Sequence, residues 1–136
     1  MEQSLITSIG HFSLYFFGSL ITLFIFKVIY CFITPYDEWK LIKEDKNTAA
    51  AIGLGGAILG FSLALSGAIK NSVSFIDFLT WAIIALLAQV LAFTLVRFFL
   101  LKKLVQRIEQ GELSAAIILA SINAAVGLLN AACMTY

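Results

Sequence analysis

An all-α membrane protein with four transmembrane helices is the fold class this sequence predicts, and three observations predict it. Of the 136 residues, 61% are hydrophobic and 12% charged, whereas a soluble domain carries about a quarter charged and just under half apolar. The mean hydropathy is +0.98. Four apolar runs each reach the about 20 residues that a helix needs to cross a bilayer, and most of the Lys and Arg residues collect in two of the segments outside those runs.

The first run extends from about Phe12 to Ile33, with Lys27 as its only charge. The second, about Ala49 to Ile69, has none. The third, about Ile76 to Leu101, opens near Asp77 and holds Arg97 near its end, and the fourth, about Ser114 to Met134, is again uncharged. Backbone groups inside lipid must be satisfied within the segment, which predicts helices rather than open sheet. Residues 1–8 lack a basic n-region, and the run that follows is long for a signal peptide, so no cleavable signal is expected.

Orientation follows from the cations. Lys40, Lys43 and Lys46 lie between spans one and two, and Lys102, Lys103 and Arg107 between spans three and four, with Arg97 just before them. The connection between spans two and three has only Lys70, and the tails have no basic residue. Cytoplasmic segments collect Lys and Arg, so both termini are expected outside and both basic connections inside.

Those connections look like short amphipathic helices. Thr34-Pro35-Tyr36-Asp37 predicts a cap at Thr34, a proline at the first helical position and an acid three residues on. The helix should reach about Lys46, with Tyr36, Trp39 and Ile42 on one face and Trp39 as an interfacial anchor. Leu101, Leu104, Val105 and Ile108 repeat the pattern, ended by Gly111 in a C′ role, unless this segment continues span three.

A shift of 66 residues lays Ile42-Thr48-Ala49-Ala50-Ile52 on Ile108-Ser114-Ala115-Ala116-Ile118. This predicts two parallel-oriented two-helix repeats, about 8–70 and 74–136, related by an axis along the membrane normal. The spans are of two kinds. Gly53, Gly56, Gly60 and Ala64 in span two, and Ala120, Ala124, Gly127 and Ala131 in span four, are small residues that let backbones approach closely. Phe16, Phe17, Phe24, Phe26, Phe93 and Phe98 in spans one and three suit lipid or the outside of a bundle. Spans two and four are therefore expected at the centre.

The intramembrane polar residues are Lys27, Gln89, Asn123 and Asn130. An ionisable group in the membrane opens a functional hypothesis because a central charge costs about 2.5–3.5 kcal/mol. Lys27 either snorkels to the headgroups or joins a polar pathway. The amides either bond between helices, at about 0.6 kcal/mol each, or line a water path. His11 with Asp77 is a conceivable outer proton or metal site; Ser74 with Asp77 as a capping box is the plainer reading. Cys31 and Cys133 fall at opposite membrane faces and read as apolar fillers, with an intersubunit Cys133 bridge as the alternative. No catalytic, cofactor-binding or metal motif is present, so no enzyme is expected. The net charge of +1 makes no case for nucleic acid.

Three ordered motifs carry a family resemblance: Thr34 to Trp39; Asn47 to Ile52 with Gly55, Gly56, Gly60 and Phe61; and Gly127 to Thr135. With them the chain resembles the YjfL-like family of bacterial inner-membrane proteins over nearly its whole length. The resemblance implies a duplicated four-span protein of the bacterial plasma membrane and no particular activity. It also implies an association with phage-shock-type and flotillin-like envelope proteins, hence with membrane stress or organisation.

Two functions are thus in view. One is an oligomeric membrane scaffold whose cytoplasmic surface recruits a peripheral partner, through Tyr36, Asp37, Trp39, Lys40 and Lys43 with Lys102, Lys103 and Arg107. Anionic lipid headgroups are an additional ligand for that face. The other is an oligomeric channel or transporter with a path between subunits.

Overall fold

The structure is a computed structural model that describes residues 2–34, 37–100 and 103–134. Pro35, Tyr36, Leu101, Lys102 and Thr135, named above, lie outside the described residues.

Helix α1 (Glu2–Ile33) begins ten residues before the predicted first span, and its first two turns are exposed throughout. At about 1.5 Å per residue it measures about 48 Å, well beyond a hydrocarbon core of about 30 Å. It stops at Thr34, whose N–H bonds the Tyr30 carbonyl while its hydroxyl donates to the Cys31 carbonyl. Thr34 therefore closes α1 and does not cap the next helix. That cap is Asp37, whose carboxylate accepts the Lys40 N–H at 3.1 Å, and α2 (Glu38–Lys43) is shorter than expected.

Asn47 starts α3 (Thr48–Asn71) by accepting the Ala50 N–H. Its amide nitrogen also donates to the Ile108 and Glu109 carbonyls, which ties the two connections together at one end of the molecule. Ser74 starts α4 (Phe75–Leu95): its hydroxyl accepts the Asp77 N–H, and Asp77 in turn accepts from Val73 N–H. Asp77 thus serves the expected cap. A π-helical turn, Val96–Leu100, ends this helix. Next come α5 (Leu104–Glu109), closed by Gly111 at φ +79°, and α6 (Leu113–Cys133). Four stretches are long and apolar enough to cross a membrane: Glu2–Ile33, Thr48–Asn71, Phe75–Leu100 and Leu113–Cys133. Hydroxyls within them, such as Thr22, Ser62, Thr80, Thr94 and Ser121, donate to the carbonyl four residues back, which satisfies them without water.

Helix α3 is the hub and packs against each of the other five α-helices. Its tightest partner is α6. Gly53 faces Leu119, Gly56 faces Ala120, Gly60 faces Asn123 and Gly67 faces Ala131, so the two helices run parallel from the connector end. A Cβ on Gly67 would fall 2.6 Å from Ala131; on Gly56, Gly60 or Gly127 it would collide with the partner backbone. Ala64 is fully buried on α3, whereas Ala124 and Ala131 are half-buried. The far side of α6, including Ser121, Ala125 and Leu129, is exposed, so α3 alone occupies the centre of the bundle.

Two aromatics expected outside are core. Phe26 stacks on Phe61 with centroids 4.4 Å apart, and Phe93 meets Tyr30 edge-on at 5.3 Å. Lipid is as apolar as the protein interior, so an aromatic gains its place through ring packing rather than escape from water. Phe16, Phe17, Phe24 and Phe98 are exposed.

Candidate functional site

Two polar regions stand out from the apolar bulk. The first is a node at Gly60, where α3, α4 and α6 meet. Gly60 leaves room for both the Asn123 carbonyl and the Gln89 side-chain amide. Gln89 Nε2 reaches past Gly60 and donates to the Asn123 carbonyl at 3.1 Å. One turn away, Asn130 Nδ2 donates to the Ala85 carbonyl at 3.3 Å. Gln89 and Asn123 are each only 1% exposed, and Gln89 Oε1 and both amide atoms of Asn123 have no partner among the described residues. Each such atom costs about 1–3 kcal/mol, which the close backbone packing around Gly60 must outweigh. The node is inside the helix bundle, not on its exposed surface.

The second region is the connector end. Lys27 points along α1 toward it and lies over the Trp39 ring at 4.5 Å from the centroid; Lys43 flanks the same ring at 5.9 Å. Trp39 remains 48% exposed. The predicted apolar face of α2 is shifted by one residue: Glu38, 1% exposed, is its buried member, with Leu41 and Ile42 half-buried beside it. The Cys31 thiol faces the Glu38 carboxylate at 3.8 Å. Glu38 was missed because Trp39 is the larger apolar residue, although Glu38, Leu41 and Ile42 share an i, i+3, i+4 register.

The cations of this end are sorted into different surroundings. Asp37 and Lys40 line one depression with Leu41, Asp45 and Glu109. Arg107 is committed to Glu112: its Nε donates to Glu112 Oε2 at 2.8 Å and its Nη2 pairs with Oε1. This pair, with the Ser114 hydroxyl, holds the Glu112 carboxyl down at about 2, and the same bond raises Arg107. Lys103 borders a separate depression with Arg97. The described residues of the predicted surface thus lie at one end of the molecule, but as separate patches. At the opposite end His11 is exposed, Asp77 is engaged in its cap, and Cys133 is exposed at the end of α6, far from Cys31.

Four apolar spans around a glycine-lined hub define a multi-pass membrane protein. The chain belongs to the family described as Domain of Unknown Function (DUF350), which matches residues 4–134. It is 39% identical over 132 residues to the UPF0719 inner membrane protein YjfL of Escherichia coli (strain K12), covering 97% of this chain and 98% of that protein. The protein of the same name from Escherichia coli O157:H7 matches to the same extent. No solved structure matches.

Proposed function

We propose that the chain is a membrane-embedded interaction protein of the bacterial inner membrane: a closed four-span unit that forms homo-oligomers and recruits a peripheral partner at its connector end. The observation that carries this reading is the Gly60 node. The amides that could line a water path, Gln89 and Asn123, are turned inward and buried, and α3 and α6 meet backbone to backbone there. Asn130 is likewise bonded to α4. That arrangement supports helix clasping and weighs against a channel.

The exposed chemistry lies at the connectors. Trp39, framed by Lys27 and Lys43, and the capping carboxylate Asp37 form a surface suited to a protein partner. The basic bias of both connections supports placing that end in the cytoplasm with both termini outside. The long–short–long helix order occurs twice, and α3 and α6 run parallel, which supports a duplication. Ser121, Ala125 and Ala132, small and exposed along α6, support self-association. The family resemblance adds membrane stress or membrane organisation as the setting, with phage-shock-type or flotillin-like proteins as the kind of partner.

A photo-cross-linker at position 39, compared with one at Ile76 on the opposite end, tests the reading in native membranes. A discrete heterologous product from position 39 alone, lost when Asp37→Ala is added, is expected. The oligomer size should not change in Asp37→Ala/Trp39→Ala. Products only with lipid or with the protein itself from position 39 would overturn recruitment.

A further inference from the structure

Among the described residues, one basic depression at the connector end has no acidic residue in its lining. It has a volume of about 370 Å³ and is lined by Arg97, Phe98, Lys103, Leu104, Val105 and Gln106. No carboxylate is among these residues. The other described connector cations are differently placed: Arg107 is paired, Lys40 and Lys46 border depressions that also hold Asp45 and Glu109, and Lys43 lies beside Trp39.

Position and shape narrow the ligand. Arg97 sits in the π-helical turn that ends a membrane span, with its guanidinium against the Phe98 ring at 4.8 Å. Phe98 lines the depression and is exposed, and Phe99 and Leu100 beside it in the same turn are exposed too, a surface suited to acyl chains. Lys103 stands at the other rim and is exposed; Leu104 forms a buried floor. A guanidinium fork suits two oxygens of one phosphate, and an ammonium adds a second point charge. Aromatic rings with cations at a span end mark headgroup level.

We infer that Arg97 and Lys103 form a binding site for one anionic phospholipid, with the headgroup phosphate between the two cations and an acyl chain along Phe98 and Phe99. A soluble anion would gain nothing from the exposed aromatic wall. A zwitterionic headgroup would bring its own cation toward Arg97 and Lys103. The inference goes beyond the scaffold reading and does not depend on it.

The test is lipid titration of the purified full-length chain in detergent, read by native mass spectrometry. Phosphatidylglycerol, phosphatidylcholine and inorganic phosphate are the probes. Phosphatidylglycerol should bind in preference to phosphatidylcholine, and inorganic phosphate should not displace it. At about 1 kcal/mol per cation, Arg97→Gln/Lys103→Gln should weaken phosphatidylglycerol binding roughly 30-fold. Lys103→Gln alone, a change to an exposed side chain that spares the fold, should weaken it roughly 5-fold. Lys70→Gln removes one charge at the opposite end of the molecule, as Lys103→Gln does at this one, and should leave binding near the starting value. An equal loss in that variant would show diffuse attraction and overturn the site. Unchanged binding in Lys103→Gln, or displacement by inorganic phosphate, would overturn it too.

Discussion

The two sides of α3 solve the same problem in different ways. Toward α6 it presents glycines, and the helices touch at their backbones along Gly56, Gly60 and Gly67, with the Leu119 side chain over Gly53. Toward α1 it presents Phe61 and Leu65, and contact is made through rings: Phe26 on Phe61, with Tyr15 reaching Phe75 and Phe78 on α4. Between those rings a groove of about 270 Å³ remains, lined by Ser19, Leu23, Ser62, Leu65, Ser66 and Ile69. In lipid, burial of apolar surface gives no net drive between helices. What decides tightness is how many atoms come within dispersion range. The glycine side closes along much of its length, while the aromatic side touches at intervals.

The sharpest break in that comparison is a methyl group. Gly60→Ala or Gly127→Ala puts a Cβ into the opposing backbone, where no flexible side chain can give way. The expected loss is about 3 kcal/mol or more, measured by reversible unfolding in mixed micelles. Gly55→Ala is the matched control, because nothing lies within 4 Å of its Cβ direction; it should change stability by less than about 0.5 kcal/mol. Equal losses at both kinds of position would mean that glycine matters for helix flexibility rather than for the seam.

The aromatic side should break more gently. Phe26→Leu keeps an apolar side chain and removes the stack on Phe61, so about 1 kcal/mol is expected by the same unfolding assay. A loss as large as that of Gly60→Ala would make α1 as integral to the bundle as α6.

The smallest effect belongs to the connector beyond the seam. The Glu112 carboxyl is ordinarily near 4.5 and is held at about 2 in the folded chain, first by Arg107 and then by Ser114. A lowered folded-state value means that the contribution is present above about 4.5 and is lost as the pH falls toward about 2. Amide exchange at the α5–α6 junction should therefore accelerate across that window while the α3–α6 seam stays protected. Glu112→Gln should abolish the dependence. A junction insensitive to pH in the unmodified chain would show that Gly111 alone sets the turn.

The contrast between the two sides of α3 also explains what the sequence displays. The spans are legible because lipid demands long uncharged runs, and the glycine and alanine stripe is legible because close approach has a residue requirement. Ser74 with Asp77 and Gly111 are legible because caps use few residue types. The inward turn of Phe26 and Phe93 is not, since lipid accepts an aromatic ring as readily as a core does. The cap at Asp37 rather than Thr34 and the burial of Glu38 depend on where α1 stops, a choice made by Thr34 bonding backward to Cys31. The π-helical turn at Val96–Leu100 has no residue signature that announces it.

The account rests on a helix bundle whose polar interior is closed. The most direct test is proton and ion flux through the purified protein in liposomes, beside the variants Gln89→Leu and Asn130→Leu. Liposomes that stay tight with well-inserted protein, in all three forms, are the predicted result. A flux that either substitution alters would contradict the account, because it would place those amides on a path rather than in a clasp.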